Sequence, residues 1–258
     1  MKEIKKIFLT ARYTFVEIYK SKVMLSVVIL GIALLIVSYV ASELSYGVPA
    51  RIAFDFGFGA LTFSSVGMAI FIGVTLVSRE IENRTVYMTI SRPIKRSSFL
   101  LGKILGLAFI LLVNILILSV LTLGLYLFLG GEFNELFSWM ILFAFFESLL
   151  TMLIVIFFSL FNNITMSVVY TLAFYISGHA ISDLQMLSFV KENPLFKNSL
   201  SLYSWGFPNF SKINIKNFAI YKQTLELDFL LGASLYACVY ALMLLLISAY
   251  IFEKKNLD

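Results

Sequence analysis

Two polar side chains lie inside otherwise apolar stretches, and they are the residues best placed to do chemistry. Glu147 lies near the middle of a stretch over 136–160, and Asn114 lies within a stretch over 104–129. A polar or ionisable group inside a membrane is costly and usually faces a helix-bundle interior or a wet cavity. For Glu147, a role in a translocation path and a structural hydrogen bond to another span both stay open. Asn114 is of the type that joins two membrane helices.

No catalytic or metal-binding motif accompanies these two residues. The sequence has no G-x-x-x-x-G-K-[ST], no H-E-x-x-H and no C-x-x-C. The single histidine, His179, lies near the end of an apolar stretch, and we expect a packing or interfacial role because a metal site needs several ligands. Cys238, the single cysteine, is expected to be a small apolar residue. We therefore expect no catalytic residue, no metal site and no cofactor in this chain.

The composition predicts an all-α membrane protein. Hydrophobic residues make up 60% of the 258 residues and charged residues 14%, whereas soluble domains are about 45–50% apolar and about 25% charged. A membrane helix takes about 20 apolar residues, so the chain has room for about six and for little else. We predict one transmembrane domain over 1–258. Its six spans are expected at 23–42, 54–77, 104–129, 136–160, 164–182 and 229–252.

The basic residues predict the orientation of the spans. Most of the 20 lysines and arginines fall on one side if the N-terminus is cytoplasmic, and with six spans both termini are then inside. Their position at the ends of apolar stretches argues against nucleic-acid binding.

The two ends of the fold carry further segments. Residues 1–22 show apolar side chains at helical spacing, which predicts an amphipathic helix on the inner leaflet, with a solvated basic tail as the alternative. The segment 183–228 is rich in aromatic residues, so we expect short helices folded onto the outer mouth.

Small residues recur along one side of the second predicted span. Such a face lets two helices approach closely in lipid, so we expect it to pack against another span, in this chain or in a second copy. Its residues are Ala53, Gly57, Ala60, Ser64 and Gly67.

A charged insert over 79–103 separates the second and third predicted spans. It reads REIENRTVYMTISRPIKRSSFLLGK, with six basic and two acidic residues. Charge alone predicts a positive-inside loop. A short helix over 80–90, followed by a turn at Pro93, instead predicts a docking element beneath the bilayer.

The insert resembles the signature region of ABC-2-type permeases, the membrane subunits of many ATP-driven exporters. The residues that carry the resemblance are Arg79-Glu80, Thr85, Arg92-Pro93, Arg96 and Gly102-Lys103. The order of segments is similar over the whole chain, which implies the fold of type V exporters. Within the family, the chain is most similar to the permease of the copper-site maturation transporter of nitrous oxide reductase and its relatives. That similarity lies in Pro208-Asn209-Phe210 and Asn214-Ile215-Lys216.

The resemblance implies a non-enzymatic permease subunit in the plasma (inner) membrane of a prokaryote. Its implied partners are two separate ATPase subunits, which bind ATP and Mg²⁺, and a second permease copy, identical or related. The insert would be the coupling helix. The implied ATPase contact comprises Arg79, Glu80, Ile81, Glu82, Asn83, Arg84, Thr85, Val86 and Tyr87. The implied lever into the third span comprises Pro93, Arg96 and Lys103.

The segment 183–228 has two implied roles, a gate or a docking surface for an extracytoplasmic partner. The second role leads to an alternative function, in which the subunit transmits mechanical work to a partner protein and moves no solute.

Overall fold

The computed structural model describes residues 2–20, 23–44, 47–82, 95–220 and 225–254. In these ranges all regular structure is helical, as predicted. The elements are α1 (Lys2–Lys20), α2 (Val23–Glu43), α3 (Pro49–Glu82), α4 (Arg96–Phe128), α5 (Leu136–Ser159), α6 (Ile164–Met186), α7 (Ser188–Glu192), α8 (Pro194–Gly206), the 3₁₀ helix η1 (Phe210–Ile213), α9 (Lys216–Ile220) and α10 (Leu227–Lys254).

Five of the described helices are long and apolar enough to cross a membrane. They cover Pro49–Thr75, Arg96–Phe128, Leu136–Ser159, Ile164–Gln185 and Leu227–Lys254. Helices suit this role because each satisfies its own backbone hydrogen bonds in a solvent that offers none. The described apolar part of α2 is shorter, Val27–Glu43. The six-span count and the orientation of the termini stay predictions.

The core lies where α3, α4 and α5 meet. The side chains of Ile110, Leu111 and Leu150 are fully buried there. Near one end, the ring of Phe54 on α3 packs 5.1 Å from the ring of Tyr126 and 4.9 Å from that of Phe137, measured between centroids. Apolar side chains cannot gain much by leaving lipid, so this interlocking of shapes carries much of the helix association.

The small residues of α3 serve two different surroundings. The Ser38 hydroxyl of α2 donates to the carbonyl of Ala53 at 2.7 Å, and the Thr122 hydroxyl of α4 donates to the carbonyl of Gly57 at 3.4 Å. A Cβ on Gly57 would lie only 2.8 Å from the Thr122 methyl group. Gly67 is exposed, and a Cβ there would meet nothing within 4 Å in the described part of the chain. The predicted face therefore packs inside the chain at one end and faces outward at the other.

The helix α1 is docked on α4 through two glycines. A Cβ on Gly102 would lie 2.8 Å from the Ile7 carbonyl oxygen, and one on Gly106 would lie 2.6 Å from the Ala11 carbonyl oxygen. The four-residue spacing of these glycines places both on one side of α4 and lets the two backbones nearly touch. Thr14 is buried at this contact.

This docking divides the predicted apolar face of α1. Ile18 is buried, and Ile7 and Ala11 are partly buried. Ile4 and Phe8, in contrast, stay more than 70% exposed. The sequence pattern predicts a single apolar face because the buried and the exposed apolar residues both recur at helical spacing. One set serves helix packing, and the other leaves apolar side chains for lipid.

The close approach of α1 and α4 can be tested with a matched pair of glycines on one helix. Gly106→Ala places a methyl group against a backbone carbonyl, so we expect the free energy of unfolding to fall by about 1–3 kcal/mol. At Gly124, also on α4, a Cβ meets nothing within 4 Å in the described structure. Gly124→Ala should be neutral or stabilising, because alanine favours the helix by about 1 kcal/mol. Unfolding in detergent micelles measures both, and equal effects would contradict the docking.

The first turn of α1 is held by Glu3. Its carboxylate accepts from the Lys6 ammonium at 3.0 Å and from the Ser98 hydroxyl of α4 at 3.1 Å. Both hydrogen bonds hold the pKa of Glu3 below its ordinary value of 4.5, and the one from Lys6 has the larger effect.

A lowered pKa makes this contact sensitive to acid. Its contribution to stability is complete above the unfolded-state pKa near 4.5 and is lost as the pH falls through the lower folded-state pKa. We therefore expect the thermal midpoint of the wild-type protein to decrease more than that of Glu3→Gln between about pH 6 and about pH 3. Parallel curves for the two proteins would show that the contact contributes nothing.

Candidate functional site

The Glu147 carboxylate lies at the centre of a polar cluster between α5 and α6. Its Oε1 accepts a hydrogen bond of 2.6 Å from the Tyr175 hydroxyl, and it lies 3.1 Å from Nε2 of His179. The carboxylate is buried. Since an ionised carboxylate only accepts, both neighbours donate to it in that state. Two donors, one of them able to carry a positive charge, reduce the cost of keeping an acid at membrane depth.

The hairpin of α5 and α6 brings the three residues together. A short turn separates the two helices, so residues equally far from the turn become neighbours. Glu147 precedes the end of α5 by 12 residues, and Tyr175 follows the start of α6 by 11. His179 lies one helical turn beyond Tyr175, on the same face.

His179 also connects the cluster to the segment before the last span. Its ring stacks on that of Phe210, with centroids 5.4 Å apart and planes 18° apart, and its carbonyl accepts from the Ser211 hydroxyl at 2.8 Å. A Cβ on Gly178 would lie 2.5 Å from the Pro208 carbonyl oxygen. Only a residue without a side chain leaves room for the chain to come this close. The packing role expected for His179 is incomplete, because the residue also contacts Glu147.

The segment around η1 is therefore inserted among the helices. Phe210 is fully buried and Ile213 nearly so. The Asn209 backbone N–H donates to the Tyr236 hydroxyl of α10 at 2.9 Å, and its side-chain oxygen accepts from the Ser211 backbone N–H at 3.1 Å. Part of the segment 183–228 thus differs from the prediction of helices folded onto the mouth. Aromatic content could not distinguish a surface position from an inserted one.

A cavity of about 130 Å³ opens beside Glu147. Polar groups from four helices and one connection line it, among them Thr62 of α3, Asn214 and Lys216. This volume has room for several water molecules, and polar partners are available to hold them. Lys216 forms an ion pair with Asp55 of α3. The cavity is a partly open polar chamber between α3, α5, α6 and residues 213–216.

Asn114 lies apart from this chamber. Its side-chain nitrogen donates to the Ser65 hydroxyl at 3.3 Å and so joins α4 to α3. Its side-chain oxygen is buried and has no hydrogen-bond partner among the described residues. The contact is of the kind that the joining role requires.

The residues predicted for coupling lie at the other end of α3 and α4. The helix α3 runs unbroken through Arg79, Glu80, Ile81 and Glu82, so a separate helix does not begin at Glu80. Asn83, Arg84, Thr85, Val86, Tyr87 and Pro93 lie outside the described residues. Arg96 begins α4, and Lys103 is buried two turns later, with its Nζ 4.9 Å from the Phe99 ring centroid.

The sequence contains one signal for this cluster. No motif joins Glu147 to Tyr175 or to His179, and of these two only His179 has an expected role, in packing or at the interface. Counting along α6 from the short turn by about as many residues as separate Glu147 from that turn leads to Tyr175, and His179 follows one helical turn later. No group of three His, Cys, Asp or Glu that could hold a metal occurs in the described ranges.

A family model described as "ABC-2 family transporter protein" matches residues 7–171. The chain belongs to this family. The matched part contains most of α1, all of α2 to α5 with the insert and Glu147, and the start of α6, while Tyr175, His179 and η1 follow it. The search of curated proteins found no match. The chain is therefore a multi-pass membrane protein and a permease component of an ABC transporter.

The role of the cluster can be separated from its contribution to folding. Glu147→Gln keeps an oxygen that can accept from Tyr175 but removes the negative charge beside His179. We expect this variant to fold with a thermal midpoint close to that of the wild type and to lose most of the transporter's coupled ATP hydrolysis. Tyr175→Phe is the matched control, because it removes a hydrogen bond and keeps the charge. Full activity of Glu147→Gln would assign the carboxylate to structure.

Proposed function

We propose that this ABC-2 protein is the permease subunit of an exporter that a separate ATPase drives through residues 79–103. In this proposal two ATPase subunits bind ATP and Mg²⁺, and a second permease copy completes the membrane domain. Six spans place both termini in the cytoplasm of a prokaryote, with the protein in its inner membrane. The observation that carries the proposal is the length and continuity of α3 and α4 in a member of this family.

The first support is the reach of these helices beyond the bilayer. α3 has 34 residues and α4 has 33, so each is about 50 Å long at 1.5 Å per residue. The hydrocarbon core is only about 30 Å thick. The apolar sequence of α3 ends at Val77, and the helix continues to Glu82. The insert is therefore attached to the ends of two long, rigid helices.

The second support is the contact that α3 and α4 make with the chamber. Phe58 and Thr62 of α3 line the cavity around Glu147. Hydrogen bonds from Asn114 to Ser65 and from Thr122 to the Gly57 carbonyl bind α4 to the same part of α3. A force on the insert can thus reach the cavity wall through packed helices.

The third support is the absence of a nucleotide-binding motif from the sequence. No G-x-x-x-x-G-K-[ST] occurs in these 258 residues, which agrees with a nucleotide site on a separate ATPase. The family itself implies an ATPase partner. The basic residues of the insert, Arg79 and Arg84 among them, are suited to acidic groups on such a partner.

The segment before the last span is proposed as the outer gate. Its η1 part closes the chamber on one side, held by Phe210 and Ser211 against α6. Two sequence motifs that resemble the copper-maturation permease lie where η1 closes the chamber. They are Pro208-Asn209-Phe210 and Asn214-Ile215-Lys216. We retain that branch of the family as a hypothesis.

A second candidate function is the transfer of mechanical work to an extracytoplasmic protein. Two apolar side chains of α8 favour it, because Leu195 is 82% exposed and Leu202 is 78% exposed. Exposed apolar side chains grouped on one short segment are typical of a contact with protein or membrane. Transport by the purified complex in vesicles without any added partner would exclude this candidate.

The coupling proposal is tested on the complex with its ATPase. Glu82→Arg and a scramble of residues 80–90 should abolish copurification or reduce permease-dependent ATP hydrolysis by at least about tenfold, since a reversed charge in a contact costs several kcal/mol. Glu253→Arg, an equal charge reversal at an exposed position of α10, is the matched control and should have little effect. If the two insert variants assemble and hydrolyse ATP like the wild type, the coupling assignment is wrong.

A further inference from the structure

A groove between α2 and α3 runs along a face of α3 next to the face that lines the polar chamber. It is lined by Leu34 and Val37 of α2 and by Phe56, Gly59, Ala60 and Phe63 of α3, with a volume of about 380 Å³. Phe58 and Thr62, on the neighbouring face of α3, line the chamber. The groove is apolar except at one end, where Lys216 and Asp55 complete its lining.

Lys216 belongs to both cavities. Its ammonium lies 4.0 Å from the position that a Cβ on Gly59 would take, and the residue also lines the chamber. A side chain at position 59 would reduce the space between α3 and the Lys216 ammonium. The lysine thus lies against α3 at Gly59, and its positive charge lies at one end of the apolar groove.

The position of the charge along α3 matches the depth of a lipid headgroup. Asp55 is the second residue of the apolar span predicted over 54–77. The pair therefore lies near the end of this span, where headgroups begin. The apolar lining then continues toward the membrane interior as far as Phe63.

The ion pair leaves room for exchange. The side chain of Asp55 is half-exposed and that of Lys216 is less exposed, so the carboxylate can turn to solvent more easily than the ammonium. Partly exposed ion pairs contribute little to stability. An anion attached to an apolar chain gains burial of that chain in addition to the charge contact.

We propose that this groove binds a membrane lipid with an anionic headgroup. The acyl chain lies between α2 and α3, and the headgroup replaces Asp55 as the partner of Lys216. The lysine at the end of the groove argues for a lipid over a second copy of the chain, because an anionic headgroup can use this charge, whereas an apolar helix face would leave Lys216 with Asp55 and gain nothing from it. Occupancy would draw the ammonium away from the chamber toward the lipid.

Photolabelling in nanodiscs tests the site. The wild-type protein is placed in phosphatidylcholine nanodiscs that contain a small fraction of either phosphatidylglycerol or phosphatidylcholine with a diazirine in the acyl chain, and labelled peptides are mapped. We expect phosphatidylglycerol to label the segments around Val37 and Phe63 about fivefold more than phosphatidylcholine, as a single lysine charge allows. Lys216→Gln should remove this preference, and Lys216→Arg should keep it.

Three controls separate the alternatives. Lys212→Gln removes another lysine of the same segment, one that lies over the Tyr236 ring, and should leave labelling unchanged. Asp55→Asn keeps the groove and removes the competing carboxylate, so labelling should increase, which keeps the test decisive if Lys216→Gln does not fold. Inorganic phosphate at millimolar concentration should not compete, since it has no chain to bury.

Several results would overturn the proposal. These are equal labelling by the two lipids, labelling that does not change in Lys216→Gln or in Asp55→Asn, and full competition by free phosphate. Absence of label from both segments, as expected if a second copy covers the groove, would do the same. None of these measurements depends on an ATPase, so the result stands apart from the coupling proposal.

Discussion

The buried carboxylate of Glu147 is the constraint on which the polar part of the structure depends. An acid at this depth must be satisfied by groups from its own protein, because lipid provides none. Tyr175 and His179 supply the two contacts. His179 in turn stacks on Phe210, so the contacts that satisfy this one carboxylate reach the segment that closes the chamber. The hairpin, the inserted segment and the cavity form one arrangement around it.

The apolar helices were predictable because their length and composition leave few alternatives. A run of about 20 apolar residues has to form a helix in a membrane, and α4, α5, α6 and α10 agree with the predicted spans to within a few residues except where α4 begins earlier, at Arg96. The all-α class follows from the same signals, whereas the family, which the family model shows, was indicated by the insert and the order of segments.

The contacts between helices were less accessible to sequence reasoning. The glycines Gly102 and Gly106 hold α1 on α4, but the first belonged to the insert and the second to a span, so their shared face was not considered. The inserted η1 segment has no periodicity of its own to reveal its burial. Glu147 was selected as a buried acid, yet its partners follow only from the geometry of the hairpin. In each case the missing information is which faces meet, and local patterns do not contain it.

The family match ends at residue 171, inside α6. The chamber is therefore built from two kinds of sequence: Glu147 and the α3 wall belong to the shared part, whereas Tyr175, His179 and η1 come after it. Both groups that contact the Glu147 carboxylate thus lie outside the part of the chain that matches the family. Membership of the family therefore does not by itself determine how this buried acid is satisfied.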